Sequence, residues 1–374
     1  MKITFVIQWA NMSGGIRVVT IYAERLKQRG HKVVVLSSLL RAKVPLRRVV
    51  KSLLLGRGWP KVRPEPSYLH SSGVEYRVLS PVRPPGDTDV PDADIVVATF
   101  WRTAQFVQQL SPAKGAKAIL IQGYEVQDGQ SDPSLDATWR MPMHKIVISK
   151  WLRELAREKF GDSLVSHVPN SVDLDQFNAV PRRKQEVPTV GLLFANSWFK
   201  GCRTSLGALK KVATSLPSVR LVCFGAEQPG RGLRPPHYAD FYYQPAQDQL
   251  KQLYAQCDVW LCGSNREGFH LPPLEAMACR CPVVSTRVGG PMDIIEEGVN
   301  GHLVNVGDEG ALADRLLRVL NLPQEQWKQM SDAAYRTAAG YSWDDATDLL
   351  EKAMELAIER GRRGELLGSC KGLI

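Results

Sequence analysis

Short apolar runs alternate with helical stretches along this chain, and the alternation is completed twice. The runs KITFVIQW (2–9), KVVVLSS (32–38), VEYRVLS (74–80), ADIVVATF (93–100), KAILIQG (117–123) and HKIVIS (144–149) read as buried strands. A helical pattern over 14–31, closed by Gly30, joins the first two, and KWLRELAREKFG (150–161) gives another helix. Strand, helix, strand in this order predicts a parallel, doubly wound sheet. The polar, proline-bounded stretch NAVPRRKQEVP (178–188) has the composition of a linker. The pattern then restarts with strands over 189–196, 219–225, 258–264 and 281–287 and at HLVNV. Helices fall over 203–216, 248–257 and 272–280, near GPMDIIEEG, over 309–321 and 323–339, and from Trp343 to about Arg362.

A length of 374 residues agrees with two cores rather than one. The reading is an N-terminal domain over 1–177, a linker at 178–188, a second domain over 189–342, and a C-terminal helix with tail over 343–374. Hydrophobic residues make up 44% and charged residues 23%, as in globular proteins, and no 18-residue apolar stretch is present to span a bilayer. The five-residue apolar run near the N-terminus is too short for a signal-peptide core, so a cytoplasmic location is expected. Seven cysteines, an odd number without a CxxC pair, argue for reduced thiols and against a zinc site.

The net charge of +10 is unevenly spread. Residues 41–63 hold eight Lys/Arg and no acid, interleaved with Leu, Val and Trp59. Such a segment is either a solvated face or one that lies on an anionic membrane surface, which would make the protein peripheral at the inner face of the cell membrane. No nucleic-acid-binding pattern accompanies the charge, so no nucleic-acid partner is expected.

Ligands of open α/β sheets bind beyond the carboxyl ends of the strands, and two such sheets facing each other would make a cleft. Three loops there carry candidate chemistry. In WANMSGGIRVV, Gly14 and Gly15 precede a helix, where backbone N–H groups favour an anion. No GxGxxG is present, which counts against a dinucleotide oxidoreductase. In LLFANSWFKGCRTS, Lys200 could offer its charge to a phosphate, with Arg203 in the helical turn that follows. In SNREGFHLPPLEAMACRCPVV, Glu267 and Glu275 stand eight residues apart around Gly268, Phe269, His270 and Leu271, with Pro272 and Pro273 marking a first helical turn that is expected to include Glu275. Two carboxylates flanking an amide-lined turn suit a polyhydroxylated ligand that bears a phosphate.

The stretch EGFHLPPLE resembles the Glu-x7-Glu motif of glycosyltransferase family 4, and the likeness extends from SGGIRVV through VPNSVDLDQF and FKG to LYAQCDVWLCGSNREGFHLPPLEAMACRCPVVSTRVGGPMDIIEEGVNGHLV. The family implies the GT-B fold: two facing Rossmann-like domains, with the C-terminal helix crossing back to the first. It implies retaining transfer of a sugar from a nucleotide-diphosphate donor (UDP-, GDP- or dTDP-linked) to a glycan or lipid-linked glycan, with no metal required. Glu275 would then accept the ribose hydroxyls. Glu267 and the amides of Gly268 to Leu271 would hold the donor sugar. Lys200, with Gly15 and the start of the 272–276 helix, would neutralise the diphosphate, and Gly14, Asn196 and Arg203 belong to the same nucleotide side. The base would lie near Gly225, Tyr243 and Pro245. Catalytic roles fall to Glu267, Lys200 and Gln122, and the acceptor side to Trp101, Arg102 and Tyr124.

The chain departs from the family at two places. Gln122 stands where many members have a sugar-contacting His, and a diphosphate-binding Arg before the Lys-Gly is replaced by Ala195-Asn196. The segment IQGYE is similar to a branch that includes rhamnosyltransferases of bacterial surface polysaccharides. Rival readings are a nucleotide-sugar epimerase of the same shape and a non-catalytic nucleotide-sugar binder.

Overall fold

A computed structural model describes residues 1–37, 54–56, 66–79, 84–124, 133–230 and 232–366. Apart from residues 54–56, the basic 41–63 segment lies outside the described residues. The described residues fall into two units, one from Met1–Val147, Leu155–Ser166 and Thr347–Ile374, the other from Ile148–Glu154 and His167–Ala346.

The first unit is built on β1 (Lys2–Ile7), α1 (Gly14–Gln28), β2 (Lys32–Ser37), β3 (Glu75–Val78), β4 (Ile95–Ala98), α2 (Trp101–Gln109), β5 (Ala116–Ile121), α3 (Pro133–Trp139), β6 (His144–Val147), α4 (Lys150–Phe160) from Leu155 onward and β7 (Ser166–His167) at Ser166; the first part of α4, Lys150–Glu154 with Trp151, belongs to the second unit. Its strands are ordered β3-β2-β1-β4-β5-β6-β7, and β1 pairs in parallel with both β2 and β4. Five of the six residues in β1 and in β2 are buried, as continuous apolar runs in a doubly covered parallel sheet require. Helix α1 buries Val18, Val19, Tyr22, Ala23 and Leu26, one face at helical spacing. It ends before Gly30, whose φ of 87° closes the C-terminus in the left-handed region. Helices α2 and α3 escape the sequence pattern because they are short; α2 buries only Thr103, Ala104 and Val107.

The second unit holds β8 (Thr189–Leu193), α5 (Cys202–Ser215), β9 (Arg220–Gly225), β10 (Ala239–Tyr243), α6 (Leu250–Ala255), β11 (Val259–Cys262), α7 (Leu271–Ala278), β12 (Val283–Thr286), α8 (Pro291–Ile294), β13 (Gly301–Val304), α9 (Glu309–Leu320) and α10 (Gln324–Ala339). The strands are ordered β10-β9-β8-β11-β12-β13, all parallel. Val190, Leu192, Val212, Leu221, Leu261, Leu316 and Trp327 belong to one buried cluster between sheet and helices. The segment 178–188 is fixed to this unit. Lys184 Nζ donates to the carbonyls of Leu320 (2.6 Å) and Leu322 (2.9 Å). Buried Asp258 accepts the backbone N–H groups of Gln185 (2.8 Å) and Thr189 (2.9 Å).

The last helix, α11 (Trp343–Arg362), starts in the second unit and from Thr347 belongs to the first. Arg29 donates to Asp348 and Glu351, each at 2.5 Å, and His31 pairs with Glu351. At its other end Arg360 Nη1 lies 3.0 Å from His144 Nδ1. Burial and the Arg360 charge push His144 down to about 4, so it is neutral.

Burial works to raise the Glu351 carboxyl, but hydrogen bonds from His31 and Arg29 outweigh it and leave it lowered. A carboxyl lowered on folding stabilises above its unfolded range, about 4.3, and loses that contribution as pH falls through the folded value. Glu351→Gln is therefore expected to lower stability at neutral pH by about 1 kcal/mol, a gap that narrows as pH falls below the unfolded carboxyl range. Thermal unfolding of both proteins across that range is the check; a gap that persists in acid would contradict it.

Candidate active site

In the second sheet β8 lies between β9 and β11. The chain leaves β8 toward β9 and β10, then crosses to β11 on the other side, so the loops that follow β8 and β11 diverge. That is the switch point at which an open parallel sheet leaves room for a ligand. The first of these loops carries Lys200 and the second carries Glu267.

The Lys200 ammonium meets both oxygens of Glu267, at 2.9 and 3.0 Å. Ser264 Oγ donates to Glu267 Oε1 at 2.8 Å, and His270 Nδ1 contacts the same oxygen. His270 Nε2 lies 3.5 Å from Cys262 Sγ. The Glu267 and His270 side chains are 7% and 3% exposed, whereas Lys200 keeps 23% of its surface.

Close backbone packing holds this arrangement from two sides. Gly201, at φ 56°, follows Lys200, and a Cβ there would lie 1.8 Å from the Gly263 carbonyl oxygen. On the other side Gly289, at φ 46°, approaches Glu267 so closely that a Cβ would meet its Cβ at 2.9 Å. Gly290 N donates to Phe269 O at 2.7 Å. The turn at 267–269 is therefore clamped between two glycine loops that leave no room for side chains.

Burial works to raise the Glu267 carboxyl, but the charges of His270 and Lys200 prevail and hold it at about 2. Burial would lower His270; Cys262 and Glu267 reverse that and take it up to about 9. Burial would raise the Cys262 thiol, which His270 brings down to about 7. At neutral pH the centre is an ionised carboxylate with a cation on either side.

Glu275 departs from expectation. Helix α7 begins at Leu271, ahead of Pro272, and its first turn holds no acid. Glu275 is its fifth residue, 4% exposed, and accepts the Tyr254 hydroxyl at 2.7 Å. It is held by a neighbour from α6 as well as by its own helix. Phe269 is buried, Leu271 half-buried, and Gly268 O accepts from Trp151 Nε1 at 2.9 Å.

The other nucleotide-side candidates of this unit lie along the same strand ends. The Asn196 side chain donates to Glu227 (3.0 Å) and to Gln228 O (2.9 Å), tying the loops after β8 and β9 together. Gly225 ends β9, and a Cβ there would lie 2.3 Å from Phe194 O. Gln244 N donates to Gly225 O at 2.8 Å, which brings exposed Tyr243 and half-buried Pro245 to the edge of that group. Arg203 is exposed in the first turn of α5.

Within the first unit, Gly14 and Gly15 open α1 after β1, and Gln122 Nε2 donates to Gly15 O at 3.3 Å. Trp101 begins α2 beyond β4, with Arg102 stacked 4.9 Å over its ring. Tyr124 donates to Asp136 at 2.5 Å and accepts from Lys159 at 2.5 Å. The first-unit candidates thus gather at the ends of neighbouring strands, β1, β4 and β5.

Sequence reasoning missed Ser264, Cys262, Tyr254 and the His270 side chain, none of which has a local signature. It also passed over Gly289-Gly290, although paired glycines before Pro291 were a readable mark of close backbone approach. Among the described residues no group of three or more His, Cys, Asp or Glu could hold a metal ion.

Residues 184–322 match the family described as Glycosyl transferases group 1. A D-inositol 3-phosphate glycosyltransferase of Mycobacterium tuberculosis is 34% identical over 173 residues, which is 41% of this chain and 36% of the relative. The match thus spans about a third of the length of that curated relative. A sucrose-phosphate synthase from Thermosynechococcus elongatus superposes with a TM-score of 0.74 at 17% identity, over 96% of this chain and 99% of that one. HepE of Anabaena, in complex with UDP-glucose, does so with a TM-score of 0.70 at 18% identity, over 95% and 99%. At these identities the likeness is one of fold, and the chain has the GT-B architecture of two parallel-sheet α/β units.

Gly201→Ala would place a methyl group on the Gly263 carbonyl and strain a left-handed backbone. A loss of at least about 2 kcal/mol in unfolding free energy is expected. Denaturant unfolding measures it; stability equal to the parent would show that the two loops are not in backbone contact.

Proposed function

We propose that this chain is a glycosyltransferase, moving a sugar from a nucleoside-diphosphate donor to a hydroxyl of a glycan or lipid-linked glycan. One observation carries the reading: the Lys200–Glu267 pair stands at the switch point of a parallel sheet, between two glycine-clamped loops, inside the stretch that matches Glycosyl transferases group 1.

In this reading the Lys200 ammonium serves the donor's diphosphate. As the bond from the anomeric carbon to the phosphate oxygen breaks, negative charge grows on that oxygen, and a cation already in place lowers the barrier without reorganisation. Glu267, ionised by its partners, accepts hydrogen bonds from sugar hydroxyls, beside the amides of Gly268 to Leu271. Glu275, oriented by Tyr254, accepts the ribose hydroxyls, and the base lies along Gly225, Tyr243 and Pro245. The resemblance to family 4 adds retention of configuration: the acceptor oxygen bonds to the anomeric carbon on the face the diphosphate leaves, and the departing phosphate oxygen takes the acceptor proton. The membrane role of 41–63 rests on its sequence alone. Among the described residues no helix is long and apolar enough to cross a membrane.

Uridine diphosphate is the first nucleotide to test, because HepE holds UDP-glucose. At about 100 times its dissociation constant it should stabilise the wild type by roughly 2.7 kcal/mol. Glu275→Gln, which removes the charge but not the shape, is expected to bind at least about tenfold more weakly. A thermal-shift titration of both proteins reads this. Equal affinity would remove Glu275 from the ribose, and no response to UDP, GDP or dTDP would remove the donor site.

A further inference from the structure

Resting on the donor-site reading above, we propose that His270 is a positioning residue: its imidazolium neutralises Glu267 from the buried side and so leaves the Lys200 charge for the diphosphate. The backbone gives the first reason. His270 caps α7 at φ 72°, ψ 84°, a region where a bulky side chain is strained and glycine is at ease. A residue that only had to turn the chain there would be glycine. The side chain gives the second. At 3% exposure it is turned away from solvent, and its two ring nitrogens are directed at Glu267 Oε1 and Cys262 Sγ.

The charge balance gives the third. A carboxylate accepts but cannot donate, so Nδ1 carries the hydrogen at that contact. If Lys200 were Glu267's only cationic partner, the pair would be neutral and would offer a diphosphate little attraction. With a second cation on Oε1, Glu267 is matched from behind, and the cluster keeps one positive charge toward the ligand while the Cys262 thiol holds its proton. The other charged and titratable groups at His270 are Cys262 from β11, Glu267 from the turn and Lys200 from the loop after β8; Ser264 adds a hydroxyl. Loss of a proton from either Cys262 or His270 reduces the positive charge, so both act in one direction as pH rises.

The test compares UDP with uridine, by calorimetry, on the wild type, His270→Asn and His270→Gly. Asn tolerates the left-handed backbone and keeps an N–H donor without charge, while Gly removes the strain. Each variant's thermal unfolding is measured alongside. The expected result is UDP affinity about tenfold weaker in both variants with uridine affinity unchanged. The wild-type preference for UDP should also decline as pH rises above neutrality, and that decline should be reduced in both variants. UDP binding as tight as wild type in the folded variants would overturn the proposal. Equal weakening of UDP and uridine would overturn it too, by showing a general packing defect. If GDP or dTDP is the diphosphate that binds, the comparison is made with it and its nucleoside; a wild type that binds none of the three diphosphates would instead bring down the donor-site reading itself, and the role of His270 with it.

Discussion

Glu267 carries a negative charge that is almost out of reach of water, and the construction around it follows from matching that charge. An unpaired carboxylate so placed would take up a proton. It stays ionised because Lys200 approaches from the more exposed side, His270 from the buried side, and Ser264 donates to one oxygen. None of these partners is near Glu267 by accident. Lys200 comes from the loop after β8, and Ser264 and His270 from the loop after β11; these are neighbouring strands at the point where the direction of winding reverses. Parallel pairing therefore creates the geometry, and the ion cluster fills it.

The glycines supply the precision. A lysine near a carboxylate on two separate loops would ordinarily wander, since both side chains are long and rotamer-rich. Here Gly201 lies against Gly263, and Gly289 and Gly290 lie against 267–269, at distances that exclude any side chain. Backbone contact on both sides fixes where the Glu267 side chain begins, so the Lys200 pair has little freedom left to lose. Glu275, one helical turn into α7, is held separately by Tyr254. The two glutamates of the motif thus have different partners: Glu267 meets Lys200 and His270, while Glu275 accepts the Tyr254 hydroxyl.

Much of this was legible in the chain. The β-strand and helix alternation announced two parallel sheets because fully buried strands must be apolar along their whole length, as KITFVI and KVVVLS are. The Glu-x7-Glu spacing and the Lys-Gly loop pointed to the loops after β8 and β11, which meet at Lys200 and Glu267, because glycine and proline mark backbone constraint locally. What stayed hidden depends on contacts distant in sequence. Tyr254 meets Glu275 across 21 residues, and Lys200 meets Glu267 across 67, separations to which no local periodicity is sensitive. Glu275 falls beyond the first turn for a local reason: the Pro272-Pro273 pair marks the helix start in the sequence, and the helix already begins one residue earlier, at Leu271. His270 looked like an ordinary turn residue because its conformation is not written in its neighbours.

The most direct test of the central claim is a crystal structure of the protein grown with uridine diphosphate. The account predicts a phosphate oxygen within hydrogen-bonding distance of Lys200 Nζ, with Glu267 still held by His270 and Ser264. A nucleotide bound away from the loops after β8 and β11, or a Lys200 that stays on Glu267 with no phosphate contact, would contradict it.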